Sequence, residues 1–529
     1  QGGSNACGRR NRKERFVMNL MHLKSGTDVR GVAVAKETTD VVELTDEAIK
    51  RITGAFVYFL CAKTGKEKDA LTVSVGHDSR ISAERIKADV IAILLSMGVA
   101  VKDCGLCSTP AMFMTTQLDT CDGAVQITAS HHPWDRNGLK FFTAGGGLSS
   151  EEIEKILEFA EMNDAIAYDT SREAEKVDFM SVYCEHLRNL IKKGVNSENN
   201  YDRPLEGLKI VVDAGNGVGG FFANDVLAPL GADTNGSRYL DPDGMFPNHI
   251  PNPENETAMA SICEATVESN ADLGVIFDTD VDRAACVSAD GKEINRNRLV
   301  ALAAAIALES CEGGTVVTDS VTSAGLTEFI ENTLGGKHRR FKRGYKNVID
   351  ESIRLESEGI KAPLAIETSG HAAFSENYHL DDGAYLITRI IIKLAELRKE
   401  GKTLESLIAS LKEPAEEKEL RFKINAENFK EYGESIIDKI EKSAILKTDI
   451  KIAEDSCEGV KVIFTDPEID GFYILRMSVH DPVMPMNIES AVKGGVRKIA
   501  QSVYDELQGY ELLDMTSLKQ FLEESIDKA

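Results

Sequence analysis

Gly123-Ala-Val-Gln-Ile127 runs straight into Thr128-Ala-Ser-His-His-Pro-Trp-Asp-Arg-Asn-Gly-Leu-Lys140. The first five residues form an apolar run of buried-strand length. Pro133 and Asn137-Gly138 keep the next segment out of helix. Ser130 therefore belongs where strand gives way to loop, the end at which open α/β sheets hold their ligands. A serine hydroxyl near its free pKa is a poor nucleophile and needs a base or cation beside it; His131, His132 and Lys140 are within reach in sequence.

The surrounding pattern supports a sheet with helices on its faces. Thr45 to Leu60 has helical apolar spacing with Thr45 as N-cap. Leu71 to Val75, Val99 to Asp103 and Gly123 to Ile127 read as strands, and a helix from Ser82 to Met97 stops at Gly98. Strand, helix, strand in this order predicts parallel pairing. Leu208 to Val212 opens a second unit, with a helix expected to Leu230, and Gly314 to Thr318 opens a third. Beyond the charged connector Lys412 to Glu419, a helix from Asn428 to Ser443 mixes with short strands, and helices are expected at Ser490 to Leu507 and Ser517 to Asp527. The predicted class is α/β: three consecutive α/β domains with mixed, mainly parallel sheets, plus a smaller C-terminal α+β domain, around a central cleft. The expected divisions are 1–21 (a disordered or targeting remnant), 22–205, 206–312, 313–414 and 415–529.

Composition narrows the partners. At 529 residues the chain exceeds one core, and a prior of roughly 150 residues per domain gives three or four. With 86 acidic against 61 basic residues the net charge is -25, which speaks against nucleic acid and anionic membrane but leaves room for a local basic cleft that takes a small phosphorylated ligand. The longest uncharged apolar stretch, Leu299 to Leu308, is too short to span a bilayer. Ten scattered cysteines do not make a disulfide scaffold, and Cys104-Gly-Leu-Cys107 has no second CxxC to complete a zinc site. Arg9, Arg10, Arg12, Lys13 and Arg15 make the start basic, as a targeting segment or solvated tail would be. A soluble intracellular protein is expected, cytoplasmic or chloroplast, the compartment itself being unknown.

Three further loops carry chemistry. Asp278-Thr-Asp-Val-Asp-Arg283 spaces carboxylates by two, so they share one side of an extended backbone; oxygens gathered so closely suit Mg²⁺. Without a cation they would raise one another's pKa. Glu367-Thr-Ser-Gly-His371 offers a carboxylate, a hydroxyl and an imidazole for sugar hydroxyls. Arg476-Met-Ser-Val-His-Asp-Pro482 offers a guanidinium and a hydroxyl for phosphate. Gly215-Asn-Gly-Val-Gly-Gly220 formally fits a dinucleotide loop, with Asp241 downstream, but a structural strand-to-helix turn explains it better. The DxDx pattern at Asp278 partly resembles the nucleophile loop of haloacid-dehalogenase-type phosphatases, with Asp282 where that motif has Thr or Val.

In order, the four loops resemble those of the α-D-phosphohexomutases, the phosphoglucomutase and phosphomannomutase family: a phosphoserine loop, a metal loop, a sugar loop and a phosphate loop. Ser25 to Gly31, Val211 to Gly217 and Arg343-Gly-Tyr-Lys346 fit other family stretches. The resemblance implies a mutase, an isomerase interconverting hexose 6-phosphate and hexose 1-phosphate, of glucose or mannose, through a phosphoserine and a hexose 1,6-bisphosphate. It implies Ser130, Lys140, Arg30 and His131 as catalytic residues, and Ser130, Asp278, Asp280 and Asp282 as Mg²⁺ ligands. Arg283, Lys346, Glu367, Ser369, His371, Arg476, Ser478 and Asp481 would bind a hexose phosphate substrate, with hexose 1,6-bisphosphate as activator and a monomer or homodimer as the assembly. The chain departs from the family where Val479, His480 and Asp481 replace Gly, Thr and Glu, where His77 replaces Arg, and at Thr368. The competing readings are a phosphoglucosamine or other sugar-phosphate mutase, a phosphatase using Asp278, and a non-catalytic sugar-phosphate-binding protein.

Overall fold

The computed structural model describes residues 19–164, 171–478 and 481–523. Four sheets follow one another along the chain. In the first, Gly123–Ile127 lies parallel to Thr72–His77, which lies parallel to Ala100–Leu106. The helices between them are those the apolar spacing predicts: Asp46–Thr64, capped by the Thr45 side chain, Ala83–Ser96, and Thr109–Leu118, capped by Ser108.

One reading needs correction. The segment after Ser130 is not loop as far as Lys140: Arg136–Thr143 is a strand, antiparallel to both Gly123–Ile127 and Asp28–Val32. Asn137-Gly138 makes no turn. A Cβ at position 138 would lie 2.3 Å from the Val29 carbonyl and 2.7 Å from that of Thr128, so the glycine lets a central strand pass between crowded neighbours. The strand also fixes Lys140 opposite Gln126 and Gly138 opposite Arg30.

The second sheet pairs Ile210–Asp213 in parallel with Leu273–Phe277, which then turns antiparallel into Ala284–Ser288. The helix expected to Leu230 is reduced to a π-helical segment, Phe222–Leu227. Gly220 ahead of it is packed closely: a Cβ there would meet the Leu240 carbonyl at 2.1 Å. The third sheet sets Lys337–Phe341, Thr315–Asp319 and Leu364–Ile366 in parallel, then adds Ala372–Phe374 antiparallel. The fourth is antiparallel throughout, with Glu416–Ile424 against Val483–Ser490. Ser490 thus ends a strand, and the helix expected from there starts at Gly495 and runs to Leu507. A last helix is Thr516–Glu523; the rest of the stretch predicted to Asp527 lies outside the described residues, as do Val479, His480 and residues 1–18.

The first three units share packing. One continuous apolar cluster runs from Phe113 and Tyr183 through Val212 and Phe277 to Ile366 and Ile390. The fourth has its own, built on Phe422, Val462, Leu475 and Ile499. Polar contacts tie it to the third unit: Arg340 to Asp455 at 2.8 Å, Ser320 to Glu458, and the Ala324 N–H to Glu489 at 3.1 Å. No helix among the described residues is long and apolar enough to cross a membrane.

Candidate active site

Ser130 stands at the carboxyl end of Gly123–Ile127 in a left-handed backbone conformation, φ 51°. For a serine that conformation costs on the order of 1 kcal/mol and persists only where neighbours enforce it. Arg80 enforces it. Its guanidinium, fully buried, donates to the carbonyls of Ser130, His132 (2.7 Å), Pro133 (2.7 Å) and Arg136 (3.1 Å) and pairs with Asp78 at 3.1 Å. Asp78 accepts from Thr128 Oγ1 at 2.7 Å, and Thr128 Oγ1 in turn accepts the Ser130 N–H at 2.9 Å. Nothing in the turn Gly76-His-Asp-Ser-Arg80 announced that role, because the carbonyls it ties down are some fifty residues away.

The serine hydroxyl points across the boundary between the first two units and donates to Asp278 Oδ2 at 2.9 Å. Asp278, Asp280 and Asp282 are all buried, with one carboxylate oxygen from each within 4.8 Å of the others. Lys140 reaches into the same cluster, donating to Asp282 and, at 3.3 Å, to Asp280. Burial pulls the Lys140 pKa down, but Asp280 and Asp282 overcome it and hold the ammonium well above its usual range. Asp278 goes the other way: burial, then Asp282 and Asp280, push its carboxyl well up. Burial also raises Asp282, yet Lys140 and the cations near it leave that carboxyl below the usual range.

The donor set fits a hard divalent cation. Oδ1 of Asp280 and Oδ1 of Asp282 are buried without a hydrogen-bond partner, a costly arrangement that an ion would relieve. The loop is braced for it: Thr109 donates its hydroxyl to Asp280 and its N–H to the Asp280 carbonyl at 2.9 Å. Gly217 lies under Thr279, where a Cβ would come within 2.5 Å of the carbonyl. The other glycines of the Gly215 to Gly220 run are packed closely too, Gly215 against Pro251, Gly219 against Phe277 and Gly220 against Leu240. Sequence reasoning missed Thr109; its one signal was the helix-capping Ser108-Thr-Pro110.

Other predicted residues gather around this centre. His131 Nδ1 is 3.4 Å from Ser130 Oγ, and the Arg283 guanidinium, followed by burial, keeps the imidazole neutral by pushing its pKa far down. Arg30 pairs with Asp28 at 2.7 Å on the strand next to Lys140. Arg283 bridges its backbone to His371, so the Asp278 and Glu367 loops are joined. His371 Nδ1 sits 2.5 Å from Asp381 Oδ2 and stacks on Tyr345, whose hydroxyl lies 3.0 Å from that of Thr27. Burial and Arg283 lower the His371 pKa to about 4, while burial and the nearby Asp319 raise Glu367 to about 7. Glu367 accepts the Gly344 N–H at 2.6 Å and Ser369 lies 3.5 Å from it. Lys346 faces a small cavity shared with Lys140 and Tyr345 and pairs with Asp350 of its own helix.

Arg476 and Ser478 come from the fourth unit. Arg476 is buried, with its Nε lacking a hydrogen-bond partner; the Ser478 N–H donates to the Val483 carbonyl at 2.8 Å and the Asp481 N–H to Ser478 Oγ at 3.3 Å. A cleft of about 660 Å³ is lined by residues of all four units, among them His131, Asn252, Arg343 and Asn487.

Models of the phosphoglucomutase/phosphomannomutase α/β/α domains I, II and III match residues 22–166, 181–291 and 295–414 in turn. The chain belongs to the phosphoglucomutase/phosphomannomutase family. Relatives in that family include a phosphoglucomutase/phosphomannomutase of Thermococcus kodakarensis, 32% identical over 84% of this chain and 90% of its own. A phosphoglucomutase of Neisseria meningitidis is 28% identical over 89% of this chain and 94% of its own. Among solved structures, a phosphoglucomutase/phosphomannomutase family protein from Burkholderia thailandensis superposes with a TM-score of 0.75 at 25% identity, covering 93% of this chain and 98% of that one. In this family member the serine loop and the acidic loop thus belong to domains I and II, and meet at their boundary.

Proposed function

We propose that the protein is a phosphohexomutase, an isomerase that moves a phosphoryl group between O6 and O1 of glucose or mannose by way of Ser130. The observation that carries this is the 2.9 Å approach of the Ser130 hydroxyl to Asp278, with the neighbouring His131 lining a cleft of about 660 Å³. Phosphorylated Ser130 gives its phosphoryl group to the free hydroxyl of a bound hexose phosphate: the Oγ–P bond breaks, a P–O bond to the sugar forms, and the hydroxyl proton passes to a base. The resulting hexose 1,6-bisphosphate turns over in the cleft, and its other phosphoryl group returns to Ser130.

Side chains of this protein divide the work. Arg80 and Thr128 hold the serine backbone in place, so that little reorganisation remains at the moment of transfer. Asp278, Asp280 and Asp282, with Ser130, would hold Mg²⁺, which would supply charge to the transferring oxygens and draw Asp280 and Asp282 away from Lys140. Lys140 is the proton-exchanging group: an ammonium while both carboxylates face it, and a stronger acid once their charge is shared. His131 and His371 are kept neutral, so each offers a hydrogen bond without competing for the cation's place. Glu367, Ser369 and His371 would grip sugar hydroxyls, and Arg476 with Ser478 the phosphate that is not reacting. One chain supplies every loop, so the proposal needs no second subunit.

Phosphorus NMR of glucose 1-phosphate with the purified protein, Mg²⁺ and catalytic glucose 1,6-bisphosphate tests this. Conversion to glucose 6-phosphate that vanishes in Ser130→Ala is expected. Net release of inorganic phosphate that persists in Ser130→Ala would instead establish a phosphatase acting through Asp278.

A further inference from the structure

Glu458 belongs to none of the four loops, yet its carboxylate meets the third unit close to Arg476. Its Oε1 accepts the hydroxyl of Ser320 and, at 3.2 Å, the backbone N–H of Arg343. Both donors sit at the carboxyl end of the parallel strands of the third sheet, where such sheets receive anionic ligands. The same oxygen is 3.9 Å from Arg476 Nε. That is an ion-pair distance too long for a hydrogen bond, and Arg476 Nε is buried with no hydrogen-bond partner. Glu458 is held there by the backbone: the next residue, Gly459, has φ 56°, and a Cβ on it would lie 2.1 Å from the Leu475 carbonyl and 2.7 Å from Arg476 Cα.

A hydroxyl, a peptide N–H and a guanidinium converging on one oxygen make an anion site. A flat carboxylate fills it incompletely, reaching two donors and leaving the third short. A tetrahedral phosphate, with three oxygens and more charge, matches all three. We infer that Glu458 is a resident anion in the phosphate subsite, one that the substrate's non-reacting phosphate must displace, so that this carboxylate sets how tightly the cleft takes phosphate. The inference rests on reading Arg476 as the phosphate ligand. Glu458 also bridges the third and fourth units, whose apolar cores do not join.

Titration calorimetry of the full-length protein with inorganic phosphate separates the two readings. Glu458→Gln keeps the shape and the acceptor oxygen but removes the charge; it is expected to bind phosphate roughly fivefold to tenfold more tightly than the parent, the scale of one like charge removed at close range in a half-wet cleft. Glu458→Ala must shift the same way, which guards against an effect peculiar to the amide. Arg476→Met is expected to lose this binding. If Arg476→Met loses it while both Glu458 variants bind phosphate no better than the parent, the resident-anion role is overturned and the phosphate subsite stands. If Arg476→Met binds phosphate as the parent does, the subsite reading fails and the role of Glu458 falls with it.

Discussion

Lys140→Met removes the only ammonium hydrogen-bonded to the acidic trio among the described residues, and its effect follows from charge alone. Lys140 is buried, as are Asp278, Asp280 and Asp282, and it donates to two of the three. Methionine fills much the same space but leaves three carboxylates facing one another, with the guanidiniums of Arg283, Arg30 and Arg80 near them but no ammonium among them. Stranding a buried charge by deleting its partner costs ~3–5 kcal/mol, which for a domain of this size lowers the melting temperature by roughly 10 °C. The loss should shrink as pH falls, because Asp278, already pushed up by burial and its neighbours, can take a proton and drop its charge. Divalent cation should act more strongly on the variant than on the parent: the parent's ammonium already offsets the charge of the carboxylates an ion would use, and the variant lacks that ammonium. Differential scanning fluorimetry, with and without Mg²⁺ at pH 5 and pH 7.5, reads all of this. A variant as stable as the parent without metal, and stabilised by Mg²⁺ no more than the parent, would refute the reasoning that lysine and cation share one set of carboxylates.

Arg80→Met should cost ~4 kcal/mol or more, since it frees four carbonyls and strands buried Asp78; serine phosphorylation should fall at least about a hundredfold, read by mass spectrometry on protein that still folds. Gly217→Ala pushes a methyl into the Thr279 carbonyl and should weaken Mg²⁺ binding by calorimetry while circular dichroism stays near that of the parent, at a stability cost of ~1–3 kcal/mol. Glu367, raised to about 7, binds its proton in the folded state at a pH where the unfolded chain has already released it. Stability should therefore fall as pH rises from about 4.5 to 7, by roughly 3 kcal/mol from this residue, and Glu367→Gln should flatten that slope in chemical unfolding. Asp382, raised by burial to about 7, keeps part of the slope in the variant.

The loops that do chemistry were legible because each pairs a buried apolar strand with a polar turn, a contrast visible in one dimension. Gly123 to Ile127 before Ser130 and Leu273 to Phe277 before Asp278 both show it, and both are strands. What the sequence concealed depends on contacts made far along the chain. Arg136–Thr143 looked like loop because Asn137-Gly138 is a turn signal, and only the crowding by Val29 and Thr128 makes that glycine a strand residue. Arg80, Thr109 and Glu458 act on partners 50, 171 and 138 residues away, and no local spacing encodes such pairings. The helix expected to Leu230 is instead a short π-helical segment, Phe222–Leu227, which apolar spacing alone does not distinguish from an α-helix.

The central claim is that Ser130 carries the phosphoryl group between the two ends of the sugar. Intact-mass measurement followed by peptide mapping, after incubation with glucose 1,6-bisphosphate and Mg²⁺, tests it directly. One added phosphoryl group on residue 130, discharged when glucose 1-phosphate is supplied in excess, is the predicted result. A phosphoryl group on Asp278, or none on Ser130 under conditions where the protein turns over, would contradict it.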